Sequence, residues 1–290
     1  MVAHEQEDDL AIEFDGMADV QDTRVFYEVA GDGQPVLLIS GLGANAELWS
    51  RQASPLAEKH QLIRFDNRGA GRSDVPEGPY TIQMMAADTV QLLDELDITT
   101  AHIVGSSMGG MIAQEVAIQY PDKALSLTLI AAQCGGPHAF GAEDENANAL
   151  RELATIDMAP QERARGWVPY SLSQGFRESS PDLVEDYVKI TGQYPCTTEA
   201  LRAQWSALMG YDSWERLQYI AAPTLILQGS EDKLVPPENA DVLGVRIPNS
   251  EVVIIEGASH SLAFESADRV NELLLDFFAR KADGGIGPSD

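Results

Sequence analysis

The pentapeptide Gly105-Ser106-Ser107-Met108-Gly109 constrains this chain more than any other stretch. It fits Gly-x-Ser-x-Gly, and its flanks decide what that pattern means. Ala101-His102-Ile103-Val104-Gly105 is short, apolar and β-branched, as a buried parallel strand is. From Met108 to Tyr120, Met108, Ile112 and Val116 recur on one helical face, and Pro121 ends the run. The motif therefore falls on a strand–turn–helix corner. Glycines let such a corner turn sharply and push a serine hydroxyl above a sheet, beside a helix N-terminus. A serine held there becomes a nucleophile when a base takes its proton. Two serines compete for the role. Only Ser107 has glycines two positions away on both sides, so Ser106 is expected to pack its hydroxyl locally.

Strand-like and helical patterns alternate along the 290 residues, which predicts βαβ units and a parallel sheet. Residues 11–30 read as a hairpin, with Thr23 to Val29 its clearest strand. Val36–Ile39, Leu62–Phe65, Ala101–Gly105, Leu125–Ala131, Thr224–Leu227 and Val252–Ile255 read as further strands. Helical spacing runs from Tyr80 to Leu96, from Met108 to Tyr120, and through Val270, Leu273, Leu274, Phe277 and Phe278. Residues 134–214 break this rhythm. They carry helical patches, several prolines and no convincing buried strand. They also hold Trp167, Trp205 and Trp214, three of the four tryptophans. The segment is either a helical subdomain with its own core or a lid over an apolar pocket. The expected organisation is a core of residues 1–133 and 215–282, a helical lid over 134–214, and a disordered tail over 283–290.

A serine nucleophile needs a base, a group that orients the base, and an oxyanion hole. Ligands of open α/β sheets bind beyond the carboxyl ends of the strands. Of five histidines, His4 lies in an acidic leader, His60 and His102 sit at the starting ends of strands, and His138 opens the irregular segment. His260 follows the last strand at its carboxyl end, on the same edge as Ser107. The orienting acid should follow another strand. Glu231 and Asp232 both lie beyond Thr224–Leu227, and the Gly229-x-x-Asp232-x-x-x-Pro236 spacing favours Asp232.

The order Ser107, Asp232, His260 is that of the α/β-hydrolases. The sequence resembles that superfamily over roughly residues 20–280, in the style of small bacterial esterases, enol-lactonases and cofactor-free perhydrolases. Four motifs carry the likeness: Ser40-Gly41-Leu42-Gly43, Asp66 to Asp74, the turn around Ser107, and the Asp232 and His260 loops. In the family the first motif usually begins His-Gly, and Ser40 departs from that. The resemblance implies an α/β-hydrolase fold, a mostly parallel eight-stranded sheet with an inserted helical lid. It implies an oxyanion hole built from the Leu42 and Met108 backbone N–H groups, and a structural role for Arg68 and Asp74. Family members that cleave carbon–halogen bonds or epoxides carry aspartate where Ser107 stands, so the resemblance argues against those chemistries. Hydrolysis of carboxylic esters or lactones is the leading expectation. Carbon–carbon bond hydrolysis, perhydrolysis and ligand binding without catalysis are the alternatives.

Composition narrows the partners. Nineteen Lys and Arg against 46 Asp and Glu leave a formal charge of 19 − 46 = −27. Nucleic acid and anionic membrane surfaces are unsuitable partners for such a chain. The charge fits either a soluble, aggregation-resistant surface or adaptation to high salt. No apolar run approaches the ~20 residues of a membrane span. The leader Met1 to Asp9 is acidic and unlike a signal peptide, so a cytoplasmic location is expected. Cys134 and Cys196 fit no metal spacing and read as free thiols, with a disulfide as the other option. The expected partner is a small-molecule ester or lactone, with no metal and no cofactor. The oligomeric state is left open.

Overall fold

A strand that is apolar at every position has to be covered on both faces, because successive side chains point to opposite sides. Val36-Leu37-Leu38-Ile39 shows this directly. Leu37 and Ile39 join one buried cluster, while Val36 and Leu38 join another. The computed structural model describes residues 12–282. The tail read as disordered lies outside the described residues.

In chain order the elements are β1 (Phe14–Val20), β2 (Thr23–Ala30), β3 (Gln34–Ile39), α1 (Ser50–Ala57), β4 (His60–Phe65) and α2 (Ile82–Glu95). Then come β5 (Ala101–Ser106), α3 (Met108–Gln119), β6 (Ala124–Ile130), α4 (Asp144–Thr155), α5 (Pro160–Ser171) and α6 (Gln174–Ser179). The rest are α7 (Pro181–Gln193), α8 (Thr198–Met209), β7 (Thr224–Gly229), α9 (Glu238–Arg246), β8 (Ser250–Ile255), α10 (Leu262–Glu265) and α11 (Ala267–Ala282). The strands form one eight-stranded sheet in the order β1-β2-β4-β3-β5-β6-β7-β8. β1 and β2 make the expected hairpin, and β2 runs antiparallel to β4. All other neighbouring pairs are parallel. Met85, Met111, Ile112 and Leu243, from α2, α3 and α9, cover one face. Leu56, Leu274, Phe277 and Phe278, from α1 and α11, cover the other.

Because β3 to β8 run in one direction, their carboxyl ends share one edge. There the chain leaves β5 at Ser106, β7 at Gly229 and β8 at Ile255. Helices α4 to α8 are inserted between β6 and β7 on that same edge. The insertion departs and returns at one point. The Ser213 N–H donates to the Cys134 carbonyl at 2.9 Å, and Gly135 bridges to Asp212. Two of its helices open on a capping oxygen: Ser173 accepts the Phe176 N–H at 3.3 Å at the start of α6, and Thr197 accepts the Ala200 N–H at 3.2 Å at the start of α8. The tryptophans divide. Trp167 and Trp205 face a cavity, whereas Trp214 stacks on His138 with ring centres 4.3 Å apart.

The Asp66 to Asp74 motif is structural. Arg68 is buried and forks onto Asp88 at 2.5 and 2.7 Å, and Arg24 pairs with Asp74 at 2.9 Å. Gly71 has φ +56°, and a Cβ there would meet Asp66 Oδ2 at 2.2 Å, so only glycine fits. Both cysteines are free. Burial pushes the Cys134 thiol up to about 11 and the Cys196 thiol to about 12. Among the described residues, no helix is long and apolar enough to cross a membrane.

Candidate active site

The corner after β5 is tighter than glycine spacing alone conveys. Ser107 itself adopts φ 56° and ψ −121°, a conformation costing about 1–3 kcal/mol for a residue with a side chain. Gly105 and Gly109 have no positive φ of their own; the strained residue is the serine. They allow close approach instead. A Cβ on Gly105 would meet the Gly109 carbonyl oxygen at 2.2 Å, and one on Gly109 would meet the Ile39 carbonyl oxygen at 2.2 Å. Helix α3 therefore lies directly against β5 and β3. The Ser107 N–H is held by the Ile130 carbonyl at 2.8 Å. Ser106 does not only pack locally, since it also borders the cavity.

His260 and Asp232 arrive from the loops after β8 and β7. His260 Nδ1 lies 2.9 Å from Asp232 Oδ2, and His260 Nε2 lies 3.0 Å from Ser107 Oγ. A carboxylate oxygen only accepts, so Nδ1–H donates to Asp232 and Nε2 accepts the Ser107 hydroxyl. The Asp232 side chain is fully buried, yet every lone pair is answered. Oδ1 accepts the Leu234 and Val235 N–H groups at 2.9 Å each, and Oδ2 also accepts Gln228 Nε2 at 2.9 Å. Four donors fix the orientation of this buried carboxylate. Glu231 is exposed and touches none of this. Gln228 was not singled out from sequence. The available signal was a polar residue closing the apolar run Thr224 to Leu227.

The loop after β3 runs beside the serine. A Cβ on Gly41 would meet Ser107 Cβ at 3.2 Å. Leu42 follows, and Met108 opens α3. Among the described residues, no protein acceptor takes the N–H of either. The loop is braced without a histidine at position 40: Asn67 Nδ2 donates to the Ser40 carbonyl at 2.9 Å, and Ser40 Oγ donates to the Asn45 carbonyl at 3.2 Å.

A cavity of about 710 Å³ opens over Ser107. Leu48, Met111, Trp167, Trp205, Leu208 and Val235 form much of its wall. The inserted helices are tied to the histidine loop beneath them. The Ser261 N–H donates to the Ser171 carbonyl at 2.8 Å, and the hydroxyls of Tyr187 and Ser261 lie 3.1 Å apart. Glu265 accepts the Ser259 N–H and, at 2.9 Å, the Ser173 N–H. Burial pushes its carboxyl above the usual range, against the pull of these N–H groups. No sequence signal marks Glu265. Among the described residues, no cluster of three or more His, Cys, Asp or Glu is arranged to hold a metal ion.

A serine raised on a strand–helix corner of a mainly parallel sheet, facing a histidine and an acid from later loops, defines the α/β-hydrolase class. The family model of the alpha/beta hydrolase fold matches residues 34–267, and the chain belongs to that family. It is a hydrolase. Its relatives include 3-oxoadipate enol-lactonase 2 of Acinetobacter baylyi, 31% identical over 255 residues, covering 87% of this chain and 91% of the relative. A protein of Azorhizobium caulinodans, provisionally named carbamate hydrolase RutD, is 30% identical over 257 residues, covering 88% and 95%. Among solved structures, an esterase from Thermogutta terrifontis superposes with a TM-score of 0.81 at 25% identity, covering 92% of this chain and 99% of the other.

Proposed function

We propose that the protein cleaves carboxylic esters or lactones through an acyl-enzyme on Ser107. The reading rests on one observation: the unbroken relay from Ser107 Oγ through His260 to Asp232 at the floor of the cavity. Ser107 Oγ attacks the substrate carbonyl carbon while its proton passes to His260 Nε2. Asp232 stabilises the imidazolium so formed. The Leu42 and Met108 N–H groups hold the oxyanion, and the α3 N-terminus adds its dipole. Such donors are worth about 3 kcal/mol each in the transition state. The tetrahedral adduct collapses, and the alcohol leaves with the proton from His260. Water, deprotonated by the same histidine, then releases the acid and restores Ser107. Residues 134–214 act as the lid of this site, and their apolar wall selects the acyl group.

Enol-lactonase and esterase relatives agree with this class. The test is a panel of p-nitrophenyl esters and lactones on wild type and Ser107→Ala. A burst of p-nitrophenol equal to the enzyme concentration is expected. kcat/KM should rise with acyl length by ~0.8 kcal/mol per buried methylene until the cavity is full. A carbon–carbon hydrolase would ignore these substrates and cleave a diketo acid. A flat profile from acetate to octanoate would show that the lid leaves the acyl site open.

A further inference from the structure

Gln204 sits on α8 with none of its surface exposed. Its two amide atoms reach out of the inserted helices into the core. Oε1 accepts the Gly43 N–H at 2.8 Å, and Nε2 donates to the Arg68 carbonyl at 2.8 Å. Gly43 is the residue after Leu42, whose N–H is a proposed oxyanion donor. Gly43 is also held in a left-handed conformation, φ +64°, against Leu201 of the same helix, whose Cδ2 a Cβ would meet at 2.4 Å. Arg68 is anchored in the core by Asp88. One buried side chain therefore spans from a rigid point of the core to the loop that carries half of the oxyanion hole.

We propose that Gln204 is a positioning residue for the reaction. By clamping the Gly43 N–H to a side chain fixed on the Arg68 carbonyl, it holds the Leu42–Gly43 peptide in place and, through the φ and ψ of Leu42, restrains the adjoining Gly41–Leu42 peptide whose N–H is aimed at the developing oxyanion. The chemistry of the slot suits an amide. Gly43 supplies only a donor and Arg68 only an acceptor, so the bridging group must accept at one end and donate at the other. A buried amide with both partners in place is fixed, because losing either bond strands a polar group away from water. Glutamine on α8 thus makes the oxyanion loop depend on the seating of the inserted helices. This inference rests on the proposed serine mechanism, and one experiment separates the two.

Wild type, Ser107→Ala, Gln204→Leu, Gln204→Asn and Thr197→Ala are compared with the best ester of the panel. Thr197→Ala removes the α8 cap without touching the loop and controls for a general loosening of the helix. Circular dichroism and Tm report folding. Gln204→Leu is expected to lower kcat roughly 10- to 100-fold with KM nearly unchanged, since a misaimed donor acts in the transition state. Affinity for a trifluoromethyl ketone, which forms an oxyanion on Ser107, should fall by the same factor. Affinity for the product acid should not change. Gln204→Asn retains the amide but is one methylene short, so it reaches one partner only. It is expected to fall between Gln204→Leu and wild type, and it carries the test if Gln204→Leu does not fold. Thr197→Ala should keep kcat while lowering Tm. Activity surviving in Ser107→Ala would overturn the serine mechanism. With Ser107→Ala inactive, full kcat in the folded Gln204 variants would overturn the positioning role alone. So would an equal loss in Thr197→Ala, or a loss of kcat with ketone affinity intact.

Discussion

Two serine–histidine pairs lie at opposite ends of the same sheet. At the carboxyl end, His260 Nε2 is 3.0 Å from Ser107 Oγ. At the amino end, His102 Nδ1 is 2.7 Å from Ser126 Oγ, between neighbouring strands β5 and β6. The second contact is the shorter. Both imidazoles accept a serine hydroxyl, because each donates its other N–H to an oxygen that only accepts. Behind His260 that oxygen belongs to the Asp232 carboxylate, and behind His102 it belongs to the Gln34 amide, 3.2 Å away. A carboxylate stabilises the imidazolium, whereas an amide oxygen does so weakly. Ser107 stands strained on the wall of a cavity. Ser126 lies fully buried within β6, and His102 stacks on Phe278 with ring centres 4.4 Å apart. Burial, helped by the like charge of His60, lowers His102 to about 4, so it stays neutral at physiological pH. A short serine–histidine bond thus carries little chemical meaning by itself. The charge behind the ring and access to a substrate decide.

The comparison is sharpest where the serines are removed. Ser107→Ala is expected to lose on the order of 10⁶ in kcat. Ser126→Ala and Ser106→Ala should keep most activity, measured on the same ester. A dead Ser106→Ala variant would show that the glycine frame selects the wrong hydroxyl. Next in size, Asp232→Asn places an amide behind His260 whose oxygen stays with the Leu234 and Val235 N–H groups, so that its NH2 faces Nδ1, the reverse of the oxygen behind His102. That variant should fold and lose about 10⁴ in rate, because the wrong tautomer is favoured. Glu231→Gln should be mild. Full activity in Asp232→Asn would mean that another carboxylate orients the ring.

The smallest effect appears in stability. The folded value of His102, about 4, lies below its unfolded value of 6.5. Between those values the unfolded chain binds more protons, so stability rises with pH across the window. His102 therefore contributes fully above pH 6.5, and its contribution is lost as pH falls through 4. The shift corresponds to about 3 kcal/mol at most. Urea unfolding from pH 7 to 4 should show this slope, and His102→Gln should flatten it. An unchanged slope in that variant would assign the acid sensitivity to carboxylates instead.

Much of the architecture was legible because apolar runs and their turns are local. Val36–Ile39, Ala101–Gly105 and Thr224–Leu227 fall inside β3, β5 and β7. Ser107, Asp232 and His260 were legible because strand ends place them on one edge, and the structure brings them together. What failed was contact at long range. Gln204 and Gly43 are 161 positions apart, and no periodicity links them. Glu265 joins Ser173 across 92 positions. The glycines beside Ser107 were noticed for their flexibility, yet their role is set by the Ile39 and Gly109 carbonyls, which only the packed helix reveals. Trp214 could not be separated from Trp167 and Trp205, because aromatic composition does not say which side of a helix faces the cavity.

The inserted helices depart after Cys134 and return before Ser213, whose backbones are bonded at 2.9 Å. A stretch of chain whose two ends already touch behaves as an interchangeable part. Lengthening it costs closure entropy only as the logarithm of its length. Its replacement leaves the spacing of β6 and β7 unaltered. On the proposed reading, the insertion supplies part of the cavity wall while the triad stays in the core, so the first can diverge while the second is kept. The separation has one condition. A segment exchanged into this position has to bring its own acceptor for the Gly43 amide, or the new specificity arrives on a slower enzyme.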